Sequence, residues 1–275
     1  MQLSIQHRTQ YNYSETLNYT IQQLRLTPRD GFGQHVKNWS IRVNGHLHRA
    51  DDTFGNIAHM LVIDNPHREI NIVASGEVET GIAMLTEEDS LPLGIYLRNT
   101  TLTMPDVSIK HFAAQYMGHL NSDIGLLDDM VLAILDRVPY IRSSTAVNTT
   151  AAAAFDLGSG VCQDHAHIFI TCCRSLGLPA RYVSGYLFTP TEDETHTNPV
   201  GSLMESHAWA DVYLPEAGWI SFDVSNGVRA SEYHVRLATG LDYKDASPVS
   251  GVRIGGGLET MEVSVEVQQT QQAQQ

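Results

Sequence analysis

Apolar and polar residues alternate over much of the first eighty positions. In "WSIRVNG" Trp39, Ile41 and Val43 fall on one face, the period-two pattern of a half-buried strand. "LSIQHRTQYNYS", "YTIQQLRLTP" and "REINIVASGEVET" are similar β-branched or aromatic runs, separated by Pro, Gly, Asn and Asp, residues that punctuate strands. Helix-like windows are few, so residues 1–80 are expected to form a β-sandwich-like antiparallel domain. Residues 81–105 contain Pro and Gly without sustained periodicity and read as a linker.

From Asp106 the period changes. "DVSIKHFAAQYMGHL" and "DDMVLAILDRVPYI" place apolar residues at i, i+3 and i+4, which predicts two helices. Asp128 and Asp129 suit the first turn of the second, and Pro139 its stop. "SGVCQDHAHIFITCCRSLG" predicts a third helix, with Ser159 as N-cap and Gly177 at C′. Strand-like runs follow: "ARYVSGYLF", "HAWADVYL" and "GWISFDV", the last two joined by a short connection at 215–218. Helices packed on an antiparallel sheet make residues 106–250 an α+β domain. Residues 251–267 alternate but have no evident place in that core, so they are expected to pair with the N-terminal domain. The Gln-rich residues 268–275 are expected to be disordered.

Composition narrows the function. The 275 residues are 42% hydrophobic and 17% charged, the profile of a globular domain. A net charge of −14 with no local run of Lys or Arg leaves no surface to track phosphates. Nucleic acid is therefore not an expected partner. The first residues lack a basic flank and apolar segment, and no stretch approaches the roughly 18 apolar residues of a membrane helix. The expectation is a cytoplasmic protein with no membrane partner, its cysteines (Cys162, Cys172 and Cys173) kept as thiols.

The candidate chemistry centres on Cys162. A thiol is nucleophilic as thiolate, and a helix N-terminus favours the anion through its dipole and unpaired N–H groups. With Ser159 as N-cap, Cys162 would sit at N3. On this evidence alone it could equally be a buried structural thiol. A nucleophilic cysteine needs a base, and the base an orienting acceptor. "SHAWADVYLPEAGWISFDVSNG" offers His207 at the start of one strand and Asp223 near the end of the next, and a hairpin brings both to one end of a sheet. Asp211 is four residues from His207, about 13 Å along a strand and out of reach. Asp164 reads as a capping or dipole partner, and His165 and His167 as packing or surface residues. Cys162 and His165 form a C-x2-H pair, but a zinc site wants a second pair and none appears. Cys173 lies about 16 Å along the helix. No metal ligand set is assigned, and Cys172 and Cys173 read as helix packing.

At these residues the chain resembles a known family. "GVCQDHAHIF…CRSLGLPARYVSGYL" followed by "SHAWADVYLPEAGWISFD" is similar to the transglutaminase-like core of bacterial proteins in the papain-like cysteine enzyme superfamily. "LSIQHRTQYNYSETL…LRLTPRD…W…DDTFGN" resembles the β-rich domain preceding that core in one bacterial subgroup. The resemblance implies Cys162 as nucleophile, His207 as base and Asp223 as orienting acid, with the Cys162 N–H in an oxyanion hole and Tyr140 as a candidate second donor. It implies acyl transfer from an amide of a peptide or protein through a thioester, to water (a protease or amidase) or to an amine (a transglutaminase). No cofactor is expected, because no calcium loop of D-x-D-x-D-G type is present. Two departures stand out: His165 replaces a commonly aromatic or apolar residue, and Val224 a frequent proline. A non-catalytic peptide-binding module that keeps the fold is the competing reading.

Overall fold

The computed structural model describes residues 1–83, 91–118, 124–189 and 204–269. The Gln-rich end from residue 270 and positions 84–90 of the expected linker lie outside the described residues. Five strands come first: β1 (Gln2–Leu24), β2 (Gln34–Val43), β3 (His46–Asp51), β4 (Ile57–Ile63) and β5 (His67–Thr80). Four helices follow: α1 (Val107–Ala114), α2 (Gly125–Arg137), α3 (Ala151–Leu157) and α4 (Cys162–Ser175). The chain then forms β6 (Ala180–Phe188), β7 (Met204–Leu214), β8 (Gly218–Asp223), β9 (Val228–Arg229) and β10 (His234–Gly240). It ends with a single-turn helix α5 (Tyr243–Ala246), β11 (Val249–Gly255) and β12 (Glu259–Gln269).

The first sheet has the order β2-β5-β1-β4-β3, with β11 and β12 also paired to β1. Strict alternation buries every second residue of β1 from Leu3 to Tyr13 apart from its polar neighbours, and exposed residues 14–16 interrupt it. The register shifts at that interruption. One strand therefore serves two sets of neighbours: β5 and β12 along its first half, β4 and β11 along its second.

The second sheet has the order β10-β6-β7-β8-β9. Helix α4 lies between this sheet and α1–α3, and all its residues from Asp164 to Arg174 are buried. A helix enclosed on all sides needs no polar face, yet α4 carries Asp, His, Thr and Arg there, so each must find a partner. Arg174 does: it donates to the carbonyls of Tyr96, Ala180 and Leu241 and to Thr103 Oγ1. Those bonds tie down part of the segment read as a linker, where Tyr96 and Leu102 are also buried. The two sheets share an apolar cluster in which Leu3 and Ile5 meet Tyr186, Phe188, Val235 and Leu237.

Candidate active site

Cys162 opens α4. Its N-cap is Val161, in an extended conformation (φ −115°, ψ −179°), and not Ser159. Val161 has no side-chain oxygen, so only the reciprocal half of a capping box forms: Asp164 Oδ2 accepts the Val161 N–H at 2.9 Å. Thr145 Oγ1 donates to the same oxygen at 2.5 Å. This shifts Cys162 to the first helical position instead of the third. Gly160 permits the fold-back, since a Cβ there would lie 2.8 Å from the Asp164 Cβ. The first-turn N–H groups of α4 have no partner within the helix and suit an oxyanion formed beside Cys162.

Strands β7 and β8 bring the other two candidates together. Their last ladder pair is Ala210 with Phe222. One step further, Asp223 faces Trp209, and His207 becomes its same-face diagonal neighbour. His207 Nε2 donates to Asp223 Oδ2 at 2.8 Å, which leaves Nδ1 for the thiol of Cys162, which lines the same cleft. Burial disfavours the imidazolium. The hydrogen bond to Asp223 and the polar influence and charge of the neighbouring Cys162 and Asp223 outweigh it, raising the His207 pKa from 6.5 to about 10.

Asp223 is fully buried and accepts five hydrogen bonds. Oδ2 takes His207 at 2.8 Å, Asn226 Nδ2 at 2.7 Å and His234 Nε2 at 3.0 Å. Oδ1 takes Ser225 Oγ at 3.0 Å and the Asn226 N–H at 3.3 Å. Burial pushes its pKa up, but the hydrogen bonds from His207 and His234 and the His207 charge prevail and hold it well below the carboxylate range. Sequence reasoning missed His234. It begins β10, and only the strand-like run "YHVRLATG" marks its surroundings. Its Nδ1 accepts the Ser231 N–H at 3.1 Å, so the proton sits on Nε2 and points at Asp223. Gly185 on β6 keeps space for this arrangement, because a Cβ there would lie 2.5 Å from the Trp209 ring. That ring packs edge-to-face on His234, with centroids 5.3 Å apart.

Cys162 and His207 line a cleft of about 280 Å³. Tyr182 and Tyr243 come from the surrounding core, and His7, Thr9, Tyr11, Met261 and Val263 from the first sheet. His7 is held between Tyr186 Oη at 2.7 Å and Thr9 Oγ1 at 2.9 Å. Burial lowers its pKa to about 4, so it is a neutral wall residue at pH 7.

The remaining candidates lie elsewhere. His165 is fully buried, and its Nε2 donates to the Val138 carbonyl at 2.6 Å. Burial lowers its pKa despite that bond. It ties α4 to the strap before Tyr140. The Tyr140 ring stacks on His165, with centroids 6.1 Å apart, and does not line the cleft. His167 Nε2 accepts the Tyr243 N–H at 3.1 Å, and burial lowers its pKa to about 4. Cys172 and Cys173 are buried free thiols. Asp211 is fully buried among Arg181, Arg236 and Ser221. Burial raises its pKa, but the two guanidinium groups bring it down to about 2.

His207, Asp223 and His234 are also the one cluster of metal-ligand type among the described residues, with ligand atoms within 4.8 Å of one another. Their atoms fit a proton network better than an ion. Each Nε2–H already donates to the shared carboxylate oxygen, whereas a metal requires deprotonated nitrogens.

Comparison with known proteins agrees with this architecture. Residues 3–79 match the bacterial transglutaminase-like N-terminal region, and residues 110–224 the transglutaminase-like superfamily. An uncharacterized protein of Mycobacterium leprae is 27% identical over 96% of this chain and 98% of its own. The protein-glutamine gamma-glutamyltransferase of Pseudomonas aeruginosa is 31% identical over 46% of this chain, but that is 20% of its length. A crystal structure from Cytophaga hutchinsonii, provisionally described as a cysteine protease, superposes with a TM-score of 0.76. It is 21% identical and covers 99% of this chain and 92% of its own, a likeness of fold. The chain belongs to the transglutaminase-like superfamily over its core and carries the bacterial N-terminal region ahead of it.

Proposed function

We propose, from that membership and the site geometry, that the protein is a cysteine enzyme transferring the acyl group of a peptide or peptide-like amide through a thioester. The observation that carries the reading is the chain of contacts from Cys162 through His207 to Asp223 at one cleft. Cys162 Sγ, its proton already held by His207 Nδ1, attacks the amide carbonyl. The carbonyl oxygen becomes an oxyanion beside the first-turn N–H groups of α4. His207 then protonates the departing amine, the C–N bond breaks, and the thioester remains. Water or a second amine, deprotonated by His207, attacks the thioester and restores the thiol. Asp223 fixes the His207 tautomer and balances the imidazolium throughout.

The superfamily and its relatives support a cysteine enzyme in general. The choice between hydrolysis and amine transfer is a matter for the acceptor. A reducing compartment such as the cytoplasm suits three free thiols, and no helix among the described residues is long and apolar enough to cross a membrane. The test is turnover of a peptide amide with and without a primary amine. Cys162→Ala should abolish both hydrolysis and amine incorporation. Full activity in that variant would overturn Cys162 as the nucleophile, and no turnover by the native protein across a broad peptide library would favour a peptide-binding module instead.

A further inference from the structure

One wall of the cleft is supplied by the first sheet. Tyr11 on β1 and Met261 and Val263 on β12 line the space that also holds Cys162 and His207. Strand β12 pairs with β1 alone, and among the described residues no strand pairs with its outer edge. Proteins usually shorten, bulge or cover such an edge, because its free N–H and C=O groups invite another strand. Here the edge runs over Glu259–Gln269, and Met261 and Val263 are 57% and 44% exposed beside it. Their cross-strand partners are Tyr11 and Thr9, so this face of β12 is the cleft face. The opposite face carries exposed Glu262 and Glu266, with Arg8 paired opposite the intervening Ser264.

We propose that the open edge of β12 docks an extended peptide acyl donor, which adds as a further strand and sends apolar side chains into the cleft. Its alternate side chains face Glu262 and Glu266 and are favoured when basic. This rests on the acyl-transfer reading above. Strand addition takes its affinity from main-chain hydrogen bonds and its selectivity from alternate side chains. The described cleft lining has no carboxylate, so a basic side chain entering it would lose water without gaining a counter-ion. A second copy of the chain fits the edge less well. Antiparallel pairing about Ser264 would oppose glutamates directly, between molecules that each carry −14.

The test uses the full chain with Cys162→Ala, so that binding is read without turnover. The probe is a fluorescein-labelled decapeptide of alternating Val and Lys, followed by anisotropy. Two versions carry N-methyl groups on alternate amides, in opposite phases. A docked strand aims only one phase of its N–H groups at β12. One version should therefore bind roughly tenfold or more weakly and the other about as well as the parent. Met261→Asp should weaken the parent peptide similarly, and alternating Val and Glu should bind less tightly. Equal binding of both methylated versions, or an unaffected Met261→Asp, overturns the proposal. So does a concentration-dependent dimer in sedimentation that the peptide cannot displace. Turnover of an acetylated dipeptide amide by the native protein, too short to span β12, reports on the chemistry alone. Lost peptide binding with that turnover intact refutes the docking edge and leaves the catalytic reading. Peptide binding with no Cys162-dependent turnover does the reverse.

Discussion

Replacing Asp223 by Asn tests how the site holds its proton. In the native protein the His207 pKa stands at about 10 against an ordinary 6.5. That rise corresponds to about 5 kcal/mol favouring the imidazolium. The His207 side chain is 10% exposed, so little of this is lost to solvent screening. Asp223 supplies a hydrogen bond and a full charge, and Cys162 contributes the rest. About half, or roughly 2–3 kcal/mol, is therefore expected to disappear with the carboxylate charge, which is roughly a hundredfold in a rate that depends on the imidazolium. Asparagine also turns an amide N–H toward groups that now donate to Asp223, so His207 loses its orientation as well. The assay is kcat/KM on a peptide amide against pH, with circular dichroism as a folding control. Native activity should persist on the alkaline side until about pH 10, where the imidazolium deprotonates. In Asp223→Asn the alkaline limb should move down by one or more pH units, toward the ordinary histidine range. A folded variant whose alkaline limb stays in place would refute the reasoning, whatever its rate.

His234 should behave as a positioning residue. His234→Ala removes one donor from Asp223 and the acceptor of the Ser231 N–H, so it should lower kcat more than it raises KM and shift the pH profile. Partial rescue by His234→Asn or His234→Gln is expected, and a profile identical to the native one would show that the contact is merely structural. Asp211→Ala leaves Arg181 and Arg236 without the carboxylate they share and should destabilise the fold by about 3–5 kcal/mol in urea melts. Native stability should also fall in acid. Asp211 has its pKa depressed to about 2, so its contribution is full above the ordinary carboxylate value and lost as pH falls through about 2.

Periodicity located the elements that pack locally. Helices α1 and α2 announce themselves by i, i+3, i+4 spacing, and Gly177 follows α4 with φ of 80°. The Cys162, His207 and Asp223 candidates were legible because a hairpin has few ways to place its two ends. Long-range features were not. Nothing local in "FDVSN" shows that a histidine eleven positions later will share Asp223. The start of α4 was misplaced because Ser159 looks like a cap, while the working cap is the Asp164 carboxylate reaching backwards. His165 and His167 were read as packing or surface residues, and both pack in the interior; their partners were what stayed hidden. A histidine on a helix reads as polar, and only tertiary packing reveals the carbonyl or N–H that satisfies it. The first-sheet wall of the cleft depends on residues from the two ends of the chain meeting across β1 and β12.

The central claim is that Cys162 becomes acylated. Intact-protein mass spectrometry after rapid acid quench, during turnover of a peptide amide, tests it directly. The account predicts a mass increase equal to the acyl group, discharged by hydroxylamine, mapped to the peptide bearing Cys162 and missing in Cys162→Ala. An acyl adduct on another residue, or steady turnover that survives Cys162→Ala, contradicts it.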